Sequence, residues 1–206
     1  MGEWAMRDKL LDQMLRHRIV VILRGVKPEE MVEICKTLAE AGARFIEVPL
    51  NTPGALECIR LATDHFRDSN VHIGAGTVLK PDAVDAVFEA GGKYIISPNT
   101  RPDVIRRTLD HGMLSIPGFA TPTEAFTAVD AGADILKCFP CGTPGNIAVL
   151  KSVVPLPVFA VGGITCDNRD AYLGVAAGVG VGIGIYRPGM TIEELRQSAA
   201  RFFDLS

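Results

Sequence analysis

The chain has 206 residues, of which 48% are hydrophobic, with a formal net charge of −3 and five cysteines. That length carries one sizeable core, and the charge gives no electrostatic footprint for nucleic acid or an anionic membrane surface. The cysteines are odd in number and lack framework spacing, which fits reduced thiols in the cytoplasm and excludes a disulfide scaffold.

In chain order, residues 3–17 read as an amphipathic helix with Trp4, Leu11 and Leu15 on one face. The charge in this region does not resemble a signal peptide, and no apolar run reaches transmembrane length. Ile19-Val20-Val21-Ile22-Leu23 is apolar without alternation, as in a parallel strand covered on both faces. Pro28 opens a helix that ends near Gly42.

A repeat then sets in: Glu40-Ala41-Gly42, Glu89-Ala90-Gly91, Asp110-His111-Gly112, Asp130-Ala131-Gly132 and Ala176-Ala177-Gly178 each lead into an apolar run. Each triplet reads as a helix end with a C-cap glycine feeding a strand. Two more strands, Val71 to Val78 and Val158 to Val161, lack the glycine. Counting the first run gives eight strands, each followed by a helical segment. The units are short for a (β/α)8 TIM barrel but within its range. An open doubly wound sheet is the rival, and eight regular units favour closure. No linker divides residues 1–206, so a single barrel domain with an extra N-terminal helix is expected. The last helix is expected over about 191–203, with Thr191 as cap and Glu194 in the capping-box position.

Barrel chemistry sits at the C-terminal strand ends. There the sequence places Arg24-Gly25, Glu47 to Asn51, Gly74-Ala75-Gly76-Thr77, Ser97-Pro98-Asn99, Pro117-Gly118, Gly162-Gly163 and Gly182-Ile183-Gly184. Within Asp134-Ile135-Leu136-Lys137-Cys138-Phe139-Pro140 a lysine interrupts an apolar strand. Burying an ammonium is costly, so the site favours a neutral, nucleophilic amine able to form a Schiff base. Period two groups Phe45 with Glu47 and Ile135 with Lys137 and Phe139. If both faces point inward, an amine meets a carboxylate that moves protons; a structural ion pair across the barrel remains the alternative.

Gly162-Gly163 suits either a phosphate cradle or a tight turn, and Arg24 either an anion clamp or a surface arginine. The glycines of 74–77 allow a ligand close to the backbone, with Thr77 offering a hydroxyl, but their spacing is not a dinucleotide fingerprint. Cys138 and Cys141 form a lone C-x-x-C without a partner pair, and the four histidines are dispersed, so no metal site is expected.

Taken in series, Ile22-Leu23-Arg24-Gly25, Glu47-Val48-Pro49-Leu50-Asn51-Thr52-Pro53, Gly74-Ala75-Gly76-Thr77-Val78, Ser97-Pro98-Asn99, Pro117-Gly118, Thr121-Pro122-Thr123-Glu124, Leu136-Lys137-Cys138-Phe139-Pro140, Val161-Gly162-Gly163 and Tyr186-Arg187-Pro188-Gly189 resemble the class I 2-keto-3-deoxy-6-phosphogluconate (KDPG) and 6-phosphogalactonate (KDPGal) aldolases over nearly the whole chain. The resemblance implies retro-aldol cleavage of a phosphorylated 2-keto acid to pyruvate and glyceraldehyde 3-phosphate, without a metal or other cofactor, in a homotrimer. It implies Lys137 as the Schiff-base lysine and Glu47 as the general acid/base. Arg24, Asn51, Thr77, Pro98 and Val161 fall at substrate-binding positions, and Gly162, Gly163 and Gly184 at phosphate-binding ones. Gluconate-type members usually carry arginine at Asn51 and threonine at Val161, so the chain leans to the galactonate type. It departs from the family at Ile183, where a serine is usual, which weakens the phosphate end and leaves a non-phosphorylated 2-keto acid open. A phosphate-binding epimerase or synthase would explain the glycine loops but not a lysine facing a glutamate, and a catalytically dead sugar-phosphate sensor finds no support in a missing group.

Overall fold

The computed structural model describes residues 3–203, and Trp4 lies outside the residues whose side chains are described. The elements run α1 (Glu3–His17), β1 (Ile19–Ile22), α2 (Pro28–Glu40), β2 (Phe45–Pro49), α3 (Ala55–His65), β3 (His72–Gly76), α4 (Pro81–Glu89), β4 (Tyr94–Ile96), α5 (Pro102–Asp110), β5 (Leu114–Ile116), β6 (Gly118–Phe119), α6 (Pro122–Asp130), β7 (Leu136–Cys138), α7 (Pro144–Lys151), β8 (Val158–Val161), α8 (Arg169–Leu173), β9 (Gly178–Val181) and α9 (Ile192–Phe203).

Local chemistry sets most of the helix boundaries. Pro28, Pro81, Pro102, Pro122 and Pro144 each open a helix, where the missing N–H leaves no bond unmade. Thr121 with Glu124 and Thr143 with Asn146 close reciprocal capping boxes. Thr191 and Glu194 exchange the same bonds ahead of α9, as their spacing predicts. Gly42, Gly91, Gly112 and Gly132 take the positive φ of a helix C-terminus. Gly178 does not: it is the first residue of β9, where a Cβ would stand 2.5 Å from the Phe159 ring. It is small to admit a neighbouring side chain, and the repeat-based reading of it as a cap is corrected.

The strands form one parallel sheet in the order β5-β4-β3-β2-β1-β9-β8-β7-β6. Its two end strands, β5 and β6, are separated only by Pro117, so the sheet curls into a nearly closed α/β barrel. Among the described residues nine strands stand where eight were expected, because the segment that begins with Leu114 resumes pairing after the proline: Gly118 lies opposite Lys137 and Phe119 opposite Cys138.

Alternation divides the core in two. Ile46, Val48, Leu136 and Cys138 point outward into the layer beneath the helices. Val20, Phe45, Tyr94, Ile96, Leu114, Ile116, Ile135 and Phe159 fill the barrel interior with Met14 of α1, and Leu10, Leu11 and Leu15 pack against them. An ion pair of 2.7 Å between Arg7 and Asp134, whose Oδ2 accepts from Ser115 N, fixes α1 across the N-terminal end of the barrel. That end is filled, so space for a ligand within the barrel remains at the other.

Candidate active site

A cavity of about 840 Å³ opens at the C-terminal ends of the strands. It brings together Arg24, Glu47, Thr77, Pro98, Lys137, Val161, Gly162, Gly163 and Gly184, which come from segments spread over most of the chain. A larger one, about 950 Å³, lies at the opposite end between α1 and the loops around α3 and contains neither Lys137 nor Glu47. Its walls mix apolar residues such as Leu10, Phe66 and Val71 with exposed charged ones, whereas the first holds the buried ionisable pair.

Lys137 is the middle residue of β7. Because Leu136 and Cys138 point outward, period two turns its side chain inward, where it is 6% exposed. Its Nζ lies 4.8 Å from the centroid of the Phe139 ring. Burial lowers its pKa from the usual lysine value; Arg24 lowers it further, against the opposing pull of Glu47. Glu47, on β2, is 2% exposed. Burial raises its pKa, while Lys137 and Arg24 pull the other way. Both shifts favour the neutral forms, an amine free to act as a nucleophile beside a carboxyl able to give a proton. Among the described residues no direct ion pair joins them, although each feels the other's charge.

The glycines of β3 serve this arrangement. A Cβ on Gly76 would overlap Oε1 of Glu47, and one on Gly74 would overlap the Tyr94 ring. These positions are bare to admit protein side chains, which corrects the expectation that they admit a ligand. Thr77 follows with φ +55°; for a β-branched residue this left-handed conformation costs about 1–3 kcal/mol and is the kind of strain found where a side chain must be aimed.

The far side of the cavity is built from backbone. Gly162 and Gly163 have φ of +119° and +69°, and no atom lies within 4 Å of where a Cβ on Gly163 would stand. Gly182 O accepts from the N–H groups of Ile185 and Tyr186, forming one helical turn. Among the described residues, the N–H groups of Gly163, Ile164, Ile183 and Gly184 have no protein acceptor. Such bare donors on adjacent loops suit an anion. Gly184 is small because a Cβ would overlap Ile164 O, so it also lets the two loops approach. The Ile183 side chain stands beside them 81% exposed.

Asn51 is the expected site residue that the cavity does not contain. It lies in an adjoining cleft with Thr77, Leu79 and Lys80 and reaches the cavity through Arg24, whose Nη1 donates to Asn51 Oδ1 at 2.6 Å. Conversely, Phe139, Thr165 and Arg187 line the cavity without having been singled out as site residues. Period two already placed Phe139 on the face of Lys137, and Arg187 follows Tyr186 directly after the glycine-rich turn. Thr165 carried no signal, since only the packing of two loops brings it there.

The chain is similar to known proteins over most of its length. Residues 11–195 match the family described as KDPG and KHG aldolase. The chain is 43% identical to the 2-dehydro-3-deoxy-6-phosphogalactonate aldolase of Escherichia coli (strain K12) over 189 residues, spanning 89% of this chain and 92% of that one. A solved structure of native KDPGal matches with a TM-score of 0.86 at 43% identity, covering 89% of this chain and 91% of that one. The KDPG aldolase of Legionella pneumophila, solved with pyruvate captured at low pH as a covalent carbinolamine intermediate, matches at 26% identity with a TM-score of 0.77, covering 90% and 91%.

Proposed function

Because the chain belongs to the KDPG and KHG aldolase family, we propose that it is a class I aldolase that cleaves 2-keto-3-deoxy-6-phosphogalactonate, or its gluconate epimer, to pyruvate and glyceraldehyde 3-phosphate. The observation that carries this reading is the pairing of a buried lysine of lowered pKa with a buried glutamate of raised pKa in one cavity at the strand ends.

The neutral Lys137 amine attacks the C2 ketone to give a carbinolamine. The Glu47 carboxyl gives its proton to the carbinolamine hydroxyl, which leaves as water, so that an iminium, the electron sink, and the Glu47 carboxylate remain. The Glu47 carboxylate takes the proton of the C4 hydroxyl, the C3–C4 bond breaks, its electron pair moves into the iminium to form an enamine, and the aldehyde leaves. The enamine takes a proton at C3 from the Glu47 carboxyl, and water releases pyruvate and the free amine. Arg24 and Thr77 hold the keto-acid carboxylate, with Pro98 and Val161 against the carbon chain. Gly162, Gly163 and Gly184 present backbone donors to the phosphate. The 43% identity to a galactonate-type relative and the presence of Val161 at the cavity wall support the galactonate epimer. A cleavage assay on both epimeric phosphorylated acids, read by pyruvate release, tests the assignment: faster release from the galactonate acid is expected, and release from neither would end it.

One observation favours a second reading of the phosphate end. Ile183 presents an exposed apolar side chain there, so a 2-keto acid without a phosphate is accepted more readily than where a hydroxyl stands. Comparing kcat/KM on phosphorylated and unphosphorylated keto-deoxy acids tests this, and a strong preference for phosphate would refute it.

We further read β5 and β6 as one stave interrupted at Pro117, which makes the barrel eightfold, with α1 as an additional helix and the whole chain as one domain. Among the described residues no helix is long and apolar enough to cross a membrane, in keeping with a cytoplasmic enzyme. Phe88, Phe126, Val149 and Val153 leave apolar surface uncovered, in keeping with a homotrimer; light scattering would measure its mass.

A further inference from the structure

Arg24 and Asn51 each lie two residues beyond the ends of the neighbouring strands β1 and β2. Three hydrogen bonds lace these segments together: Leu23 N to Glu47 O at 2.8 Å, Gly25 N to Thr52 Oγ1 at 3.0 Å and Arg24 Nη1 to Asn51 Oδ1 at 2.6 Å. The backbone on either side of Asn51 is itself fixed, since Leu50 N donates to Gly76 O and Thr52 N to Pro49 O. Asn51 is therefore a rigid anchor, and Arg24 a long, exposed side chain that it restrains. Among the described residues Arg24 forms no ion pair. Its partner is a neutral amide, so the bond fixes the guanidinium without cancelling its charge, and donors of the five-membered fork remain free.

We propose that Asn51 is a positioning residue that acts through Arg24. It holds the guanidinium over the cavity mouth, uncompensated and ready for the carboxylate of the keto acid, and does not itself meet the reacting carbons. A neutral acceptor is what the position requires. An aliphatic residue would free the arginine to swing into water, and a carboxylate would compete with the substrate for it.

This inference rests on the aldolase reading, and pyruvate alone separates the two, because it presents the carboxylate and the ketone without the rest of the substrate. The experiment measures the pyruvate concentration that half-saturates borohydride trapping, in wild type, Asn51→Ala, Asn51→Gln, Asn51→Asp and the same changes combined with Arg24→Ala. About a tenfold weakening is expected for Asn51→Ala, a larger one for Asn51→Asp, and partial rescue by Asn51→Gln. Within the Arg24→Ala background none of the three should have a further effect, since the interaction they alter is gone. Unchanged half-saturation in both Asn51→Ala and Asn51→Asp would overturn the proposal, as would losses that simply add to that of Arg24→Ala. Wild type that cannot be trapped with pyruvate would overturn the aldolase reading and this inference with it. Normal wild-type trapping with unaffected Asn51 variants would overturn this inference alone.

Discussion

The carboxylate of Glu47 occupies the space that a side chain on Gly76 would need: a Cβ there would overlap Oε1. The two residues sit on paired strands, with Glu47 opposite Gly74 and Pro49 opposite Gly76. The Glu47 carboxylate thus keeps its direction because the neighbouring strand lacks a side chain at one place. Gly76→Ala should displace the carboxylate and reduce kcat by about 10²-fold or more, the scale of general acid–base catalysis. It should also cost about 1–3 kcal/mol of stability through overpacking. Gly74→Ala, which strikes the Tyr94 ring, should lose stability to a similar degree with a much smaller effect on kcat. Steady-state rates and denaturant unfolding of the two variants check this; equal losses of kcat would contradict it.

Arg24 lowers the pKa of both Glu47 and Lys137. A fixed positive charge favours the carboxylate and disfavours the ammonium, so both midpoints fall beside it. Removing it reverses both effects. In Arg24→Ala both limbs of the kcat/KM profile should therefore move to higher pH. Because the groups interact, the midpoints belong to the pair and not to either residue. Limbs that stay in place, or move down, would contradict the electrostatic link.

Ile183 exposes an apolar side chain beside backbone N–H groups that lack acceptors among the described residues. A serine there would add one hydroxyl donor to an anion, and a hydrogen bond to a charged group contributes about 1.5–3 kcal/mol. Ile183→Ser should raise the preference for phosphorylated over unphosphorylated keto acid by about tenfold. The ratio of the two kcat/KM values measures it, and an unchanged ratio would show that the backbone alone sets phosphate recognition.

At the opposite end of the barrel two histidines resist protonation. His17 accepts a hydrogen bond from Arg44 N at its Nε2 and lies between Phe45 and Phe203. Its pKa is lowered from 6.5 to about 4, by burial first and Arg44 second. His72, against Phe45, is lowered to about 4 by burial, Lys93 and Lys9. Between pH 6.5 and about 4 the unfolded chain binds protons that the folded chain refuses. Stability should therefore be unaffected by these groups above pH 6.5 and fall as the pH drops through that window. Urea midpoints measured across it should decline, and His72→Phe should shallow the decline.

The buried pair of Lys137 and Glu47 was legible in the sequence because apolar strands make an ionisable residue conspicuous, and period two then fixes its side. The start of α2 was legible for a similar reason, since Pro28 has one favourable place in a helix, and Pro81, Pro102, Pro122 and Pro144 open helices in the same way. The parts that depended on distant neighbours were not. Gly76 and Gly178 look like any loop or cap glycine until the Glu47 carboxylate and the Phe159 ring are placed against them. Nothing local in the sequence signals that the Asn51 amide accepts from Arg24. The ninth strand arises because Gly118 and Phe119 find partners on β7 beyond a proline that, read locally, ends the strand.

The central claim is that Lys137 forms a covalent imine with a keto acid. Incubating the protein with pyruvate and borohydride, then mapping the modified peptide by mass spectrometry, tests it most directly. The account expects one reduced pyruvate adduct per chain, on Lys137, absent in Lys137→Ala. An unmodified chain, or an adduct on another lysine that persists in Lys137→Ala, would contradict it.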